Sequence, residues 1–178
     1  MNIMDKYLDQ CKALSLTARM AIALLVFEKF CKNNDLQIFQ IKELSDYLWQ
    51  WPLIDGPDQF EPWERSRPEL VNYGLGDEPS NQVLSELVKR GISEHRFRNI
   101  VGSLTEILWS SFWGAAEDES SIKFLRNVIY SCKIEPLPVL TPFRFSLFTD
   151  GEGWGRKLTI EDRDFWRNSQ IISDLIRA

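Results

Sequence analysis

Apolar positions recur with a helical period through most of the chain. Tyr7, Leu8, Cys11 and Leu14 fall at helical spacing, and a second run from about residue 18 to 32 follows Ser15 and Thr17, either of which can cap it. In that run Met20, Ile22, Leu24, Leu25, Val26, Phe27, Phe30 and Cys31 cover most of the circumference, as expected of a helix surrounded by others. A third helix, roughly 41 to 50, puts Ile41, Leu44 and Leu48 on one face and stops before Pro52. The period returns after residue 79. Ser80 or Asn81 caps a short helix carrying Val83, Leu84, Leu87 and Val88, which closes at Lys89-Arg90-Gly91. The longest helix runs from Ser93 to about Trp113, and the next starts near Glu117 and continues through Ile122, Leu125, Val128 and Ile129 to Cys132. Thr159 and Asp162 form a cap for a last helix through Phe165, Trp166, Ile172 and Ile176.

Two stretches break the pattern. Residues 52–79 hold five of the eight prolines and three glycines without a sustained helical period, apart from room for a short helix around Glu69 to Tyr73. Near the C-terminus, Phe143, Phe145 and Leu147 alternate with Arg144 and Ser146 before the glycine-rich turn 150–155, which predicts a small β-hairpin over 143–158. The expected architecture is a mainly α protein: one compact helical domain over 1–178, with about six or seven helices, an inserted acidic proline-rich segment at 52–79 and the hairpin.

Composition changes this picture in two places. Twenty-two aromatic residues, seven of them Trp, exceed what a core of this size needs, and Trp is favoured at interface centres. The net charge of −5 is local: residues 52–79 contain seven acids against two arginines, and the remainder balances. Three widely spaced cysteines, Cys11, Cys31 and Cys132, with no CxxC pair, read as buried thiols and a reducing, cytoplasmic setting. No apolar stretch is long enough for a membrane span, and the mild acidity argues against a nucleic-acid backbone as partner. Leu36 to Leu48 has the spacing with which a helix-turn-helix opens, but Trp49-Gln50-Trp51-Pro52 and an acidic stretch follow where a basic recognition helix is needed.

Candidate chemistry is sparse. His95 is the single histidine, so zinc sites built on several imidazoles are excluded, and no nucleophile elbow, metalloprotease helix, calcium loop or Walker lysine is present. The turn Gly151-Glu152-Gly153-Trp154-Gly155-Arg156-Lys157 could converge backbone N–H groups on an anion, yet its glycine spacing fits neither phosphate fingerprint and Glu152 opposes one. No cofactor and no metal are expected. The sharpest feature is the acidic segment, in which Asp55, Asp58, Glu61, Trp63, Glu64, Asp77 and Glu78 combine steering charge with an aromatic anchor. A second patch is drawn by His95, Trp109 and Trp113, which fall on a side of the long helix away from its main apolar stripe and are open either to burial by the hairpin or to recognition. The reading that follows is a non-enzymatic protein-interaction module, of inhibitor or immunity type, meeting a basic protein partner. The alternative is an enzyme of unfamiliar type that uses the clustered carboxylates, with or without a divalent metal. Oligomeric state is left open.

Overall fold

A computed structural model describes residues 3–177, with side chains through residue 170. The described residues form nine α-helices in one compact body: α1 (Ile3–Cys11), α2 (Leu16–Asn33), α3 (Phe39–Leu48), α4 (Pro57–Arg65), α5 (Glu69–Gly74), α6 (Asn81–Lys89), α7 (Glu94–Trp109), α8 (Asp118–Cys132) and α9 (Ile160–Arg177). No helix among them is long and apolar enough to cross a membrane.

α2 is the axis of the molecule. The Ser15 hydroxyl caps it by accepting from Ala18 N at 3.1 Å, and its residues are buried almost without a break from Leu16 to Phe27. The all-round apolar pattern thus has the neighbours it requires, chiefly α7, α8, α3 and α9. α7 and α8 run antiparallel, because Arg96 near the start of α7 donates to the carbonyls of Ser131 (2.7 Å) and Cys132 (3.4 Å) at the end of α8. α5 lies close on α7: a Cβ on Gly74 would stand 2.7 Å from Thr105 Oγ1 and 3.0 Å from the Val101 carbonyl, so a side chain there would push the two helices apart.

The proline-rich stretch supplies two helices: α5, where the sequence left room at Glu69 to Tyr73, and α4, which it did not show. Pro57 sits in the first turn of α4, where a missing N–H costs nothing, and Pro62 lies inside it. Only Phe60 and Trp63 of α4 turn inward, too few to generate a period.

The predicted hairpin is absent. Among the described residues there is no strand ladder in 143–158; the segment instead makes one antiparallel bridge between Leu147 and Leu14, with Ser15 N donating to Ser146 O (2.9 Å) and Phe148 N to Ala13 O (3.0 Å). The alternation at 143–147 has another cause. Phe143 and Phe145 both pack on Trp166 of α9, at ring-centroid distances of 5.1 and 5.5 Å, while Ser146 turns inward to share a 2.8 Å hydrogen bond with Ser15. The glycines after it close a 3₁₀ turn, not a hairpin loop. Gly155 is held at φ +91°, and a Cβ there would lie 2.7 Å from Ser15 Cβ and closer still to Ser146 Oγ. Gly155 therefore packs the turn against the N-terminus of α2, while Gly153 lies against Ala116 and Phe148.

Candidate functional site

α3, the 3₁₀ turn Trp51–Leu53, α4 and the end of α7 bring their rings together at one end of the molecule. Tyr47 and Trp63 stack at 4.6 Å and 5° and exchange hydrogen bonds, Tyr47 Oη to Trp63 O at 3.0 Å and Trp63 Nε1 to Tyr47 O at 3.2 Å. Trp109 packs on Trp63 at 5.6 Å. Trp51 touches Trp63 (5.3 Å), Phe112 (5.0 Å) and Trp154 (5.3 Å), and its indole N–H reaches Thr17 Oγ1 at 3.2 Å. Phe60 meets Phe112 edge-on at 5.1 Å and Trp113 at 6.2 Å and 81°. Such pairs contribute about 0.5–1.5 kcal/mol each beyond the area they bury.

The cluster is graded in exposure. Trp63 is 4% exposed, Trp109 9% and Trp113 81%. Trp113 is thus an uncovered ring braced from beneath by Phe60, at the tip of the turn between α7 and α8. The turn at 151–153 lies against that same region, since a Cβ on Gly153 would come within 2.7 Å of Ala116 Cβ.

The seven acids of 52–79 do not converge. Asp55 pairs with Lys157, Glu61 with Arg65, and Glu64 with Arg67 at 3.0 Å. Glu69 accepts from Ser80 N at 2.8 Å, tying α5 to the start of α6. Asp58 is exposed on α4 beside the rings, whereas exposed Asp77 and Glu78 lie beyond α5, where Arg98 donates to the Asp77 carbonyl at 3.2 Å. The rise of an α-helix, roughly 1.5 Å per residue, puts that end of α7 about 15 Å or more from its Trp109 end. His95 sits at the same far end, exposed, so it shares no patch with Trp109, which is buried, or Trp113, which is not.

Of the residues singled out in the sequence, Trp63 packs on Trp109, and Trp113 joins the same ring cluster through Phe60; Asp58, Glu61 and Glu64 share α4 with Trp63, and Asp55 is tethered to Lys157. Trp51, Phe60, Phe112 and Trp154, which were not among the candidate site residues, complete the ring cluster, and exposed Glu117, Glu119 and Glu152 lie at the start of α8 and on the turn at 151–153. Sequence separation hides the rings, but the acids were visible as a helix start and a turn. Among the described residues no three His, Cys, Asp or Glu side chains are grouped to hold a metal ion.

Other ionisable groups are structural. Burial pushes the Cys11 and Cys132 thiols up to about 12 and the Cys31 thiol well above its usual range; none of the three is in a disulfide. Burial also raises the Glu28 carboxyl, although it accepts from Ser45 Oγ and, at 2.9 Å, from Trp49 Nε1. No protein-family model, no curated protein and no solved structure matches this chain.

Proposed function

We propose that this chain is a protein-interaction module of inhibitor or immunity type, which captures a protein with a basic surface on the face built by α4, the α7–α8 turn and the turn at 151–154. The observation that carries the proposal is Trp113, 81% exposed and in edge contact with Phe60 at 6.2 Å, on a turn that runs into exposed Glu117 and Glu119, with exposed Asp58 two residues before Phe60 and exposed Glu152 next to Gly153, which abuts Ala116. A large ring left uncovered on a rigid base is the form of an interface anchor, and the surrounding carboxylates favour cationic partners and speed the encounter. Catalysis by clustered carboxylates has less support, because Asp55, Glu61 and Glu64 already hold cations.

The test is a capture experiment with the intact chain against native lysate at low salt, followed by titration of the protein captured. Trp113→Ala is expected to weaken binding by about 2 kcal/mol while the melting temperature stays put, since the ring is mostly in water. Glu117→Gln with Glu152→Gln should lower the association rate and flatten its salt dependence. Affinity and rate unchanged in both variants would refute the assignment.

A further inference from the structure

A pocket at the far end of α7 shares no residue with the ring cluster. The first turn of α7 and the last turn of α8 wall it, with His95, Arg96, Asn99, Tyr130, Ser131 and Lys133 around an open hollow of about 340 Å³. The two helices run antiparallel here, so the positive end of one helix dipole sits beside the negative end of the other and the two largely cancel. Charged side chains then decide the sign of the pocket. Arg96 and Lys133 belong to its lining, and no carboxylate does. The acids closest in sequence are engaged elsewhere: Glu94, next to His95, accepts from Tyr73 Oη (2.9 Å) and from Arg98 Nε (2.8 Å), which balances its charge, and Glu135 lines the cleft between α1 and residues 134–144.

Arg96 is held ready. Its Nε and Nη2 donate to Ser131 O and Cys132 O, and its guanidinium lies over the Phe30 ring, 5.1 Å from the centroid. Those bonds use the edge of the fork that carries Nε. Both N–H groups of Nη1 and one of Nη2 are left without a protein acceptor among the described residues, and one from each nitrogen point side by side, the arrangement that grips two oxygens of one anion. Lys133, in the left-handed C-cap of α8 at φ +53°, has no partner for Nζ among the described residues. Ser131 Oγ accepts from Asn99 Nδ2 at 2.6 Å and keeps its own O–H to give, as does Tyr130. The open acceptors are all neutral: Asn99 Oδ1, an imidazole nitrogen, and the Tyr130 and Lys133 carbonyls. A cation could use them only by standing beside two charges of its own sign.

We infer that this pocket binds a dianionic phosphate group, carried as the monoester of a small molecule whose body leaves through the open side, with the Arg96 fork on two phosphate oxygens and Lys133 Nζ on a third. A carboxylate would fill the fork and leave Lys133 unmatched. Two cations match the two charges of a phosphate monoester, and an arginine already fixed by two carbonyls and a ring loses little freedom on binding.

The experiment titrates the intact, ¹⁵N-labelled chain with inorganic phosphate, glycerol 2-phosphate and acetate at constant ionic strength, well above the second phosphate ionisation at about pH 6, and follows backbone amide and arginine Nε–H shifts. Both phosphates are expected to shift Arg96 Nε–H and the amides of residues 131–133, and to bind about tenfold tighter than acetate, the factor for one further charge-assisted hydrogen bond. Lys133→Gln should remove that advantage without lowering the melting temperature. Lys123→Gln, the same change of charge at an exposed position of α8 outside the pocket, should leave it intact. Arg96→Lys keeps the charge without the fork and should weaken both phosphates about tenfold; because it also loosens α7 on α8, the Lys133→Gln result decides. Equal affinity for acetate and the phosphates, equal effects of Lys133→Gln and Lys123→Gln, exclusion of glycerol 2-phosphate while inorganic phosphate binds, shifts centred on Arg144 or Arg156, or no shift at all would overturn the inference.

Discussion

Arg19 offers the strongest test of how the face around Trp113 is held. The side chain is fully buried in α2, and its guanidinium donates to Cys11 O (3.1 Å), Lys12 O (2.6 Å), Asp118 O (3.1 Å) and Ser121 Oγ (2.7 Å) and pairs with Asp118 Oδ1 (2.7 Å). One planar group thereby ties the end of α1 to the start of α8, just beyond the turn that carries Trp113. Arg19→Met removes the donors and strands the α1-end carbonyls, at an expected cost of about 3–5 kcal/mol, a large share of a typical domain's stability. Asp118→Asn should cost less than about 1 kcal/mol, because that side chain is 52% exposed and screened while its backbone carbonyl still accepts. Arg19→Lys should fall between, since a point charge cannot serve two helix ends at once. Urea unfolding followed by far-UV circular dichroism at neutral pH measures all three. A loss under about 1 kcal/mol for Arg19→Met, or equal losses for Arg19→Met and Asp118→Asn, would refute this account of the staple.

Two further outcomes follow from local geometry. Gly155→Ala should destabilise by about 3 kcal/mol, from left-handed strain and the clash with Ser15 and Ser146; a variant with an unchanged thermal midpoint would show that the turn can move away from α2. For Glu28, a folded-state pKa raised by burial means that the folded protein holds this proton more tightly than the unfolded chain. Stability is then highest below the ordinary glutamate range and falls as pH rises above it, and Glu28→Gln should remove that fall; denaturant midpoints measured across the acid range with no difference in slope between the two proteins would contradict it.

The helices legible in the sequence were those with many residues on a buried face. α2 announces itself because nearly every position is apolar, and α6, α7 and α8 because Ser80, Ser93 and the acids at 117–119 mark starts that the structure uses. α4 stayed hidden because a nine-residue helix with an internal Pro62 and two inward rings carries no period. The hairpin was misread because packing on a single ring, Trp166, imitates strand alternation over five residues. The ring cluster had no local signal: Tyr47, Trp51, Phe60, Trp63, Trp109, Phe112 and Trp154 meet through tertiary contacts between four separate parts of the chain. Charge was legible in amount but not in effect, since counting acids cannot show which of them already hold an arginine or lysine.

That last point shifts where recognition on this face comes from. The excess of acids in 52–79 suggested a long-range negative field, but Lys157, Arg65 and Arg67 neutralise three of them locally, and Asp77 and Glu78 lie at the far end of α7. The exposed acids on α4 and the two turns that hold no ion pair among the described residues are Asp58 together with Glu117, Glu119 and Glu152, the last three from parts of the chain whose overall charge is balanced. Screened surface carboxylates of this kind act mainly on the encounter rate. In the proposed interaction, the persistence of a complex comes from burying Trp113, whose cost of ordering is met in part by the contact with Phe60 and by the turn that Arg19 and the 151–153 loop hold in place. On that proposal, a ring seated against Phe60 with replaceable charges near it makes partner choice a matter of shape at the anchor, with net charge only admitting candidates to it.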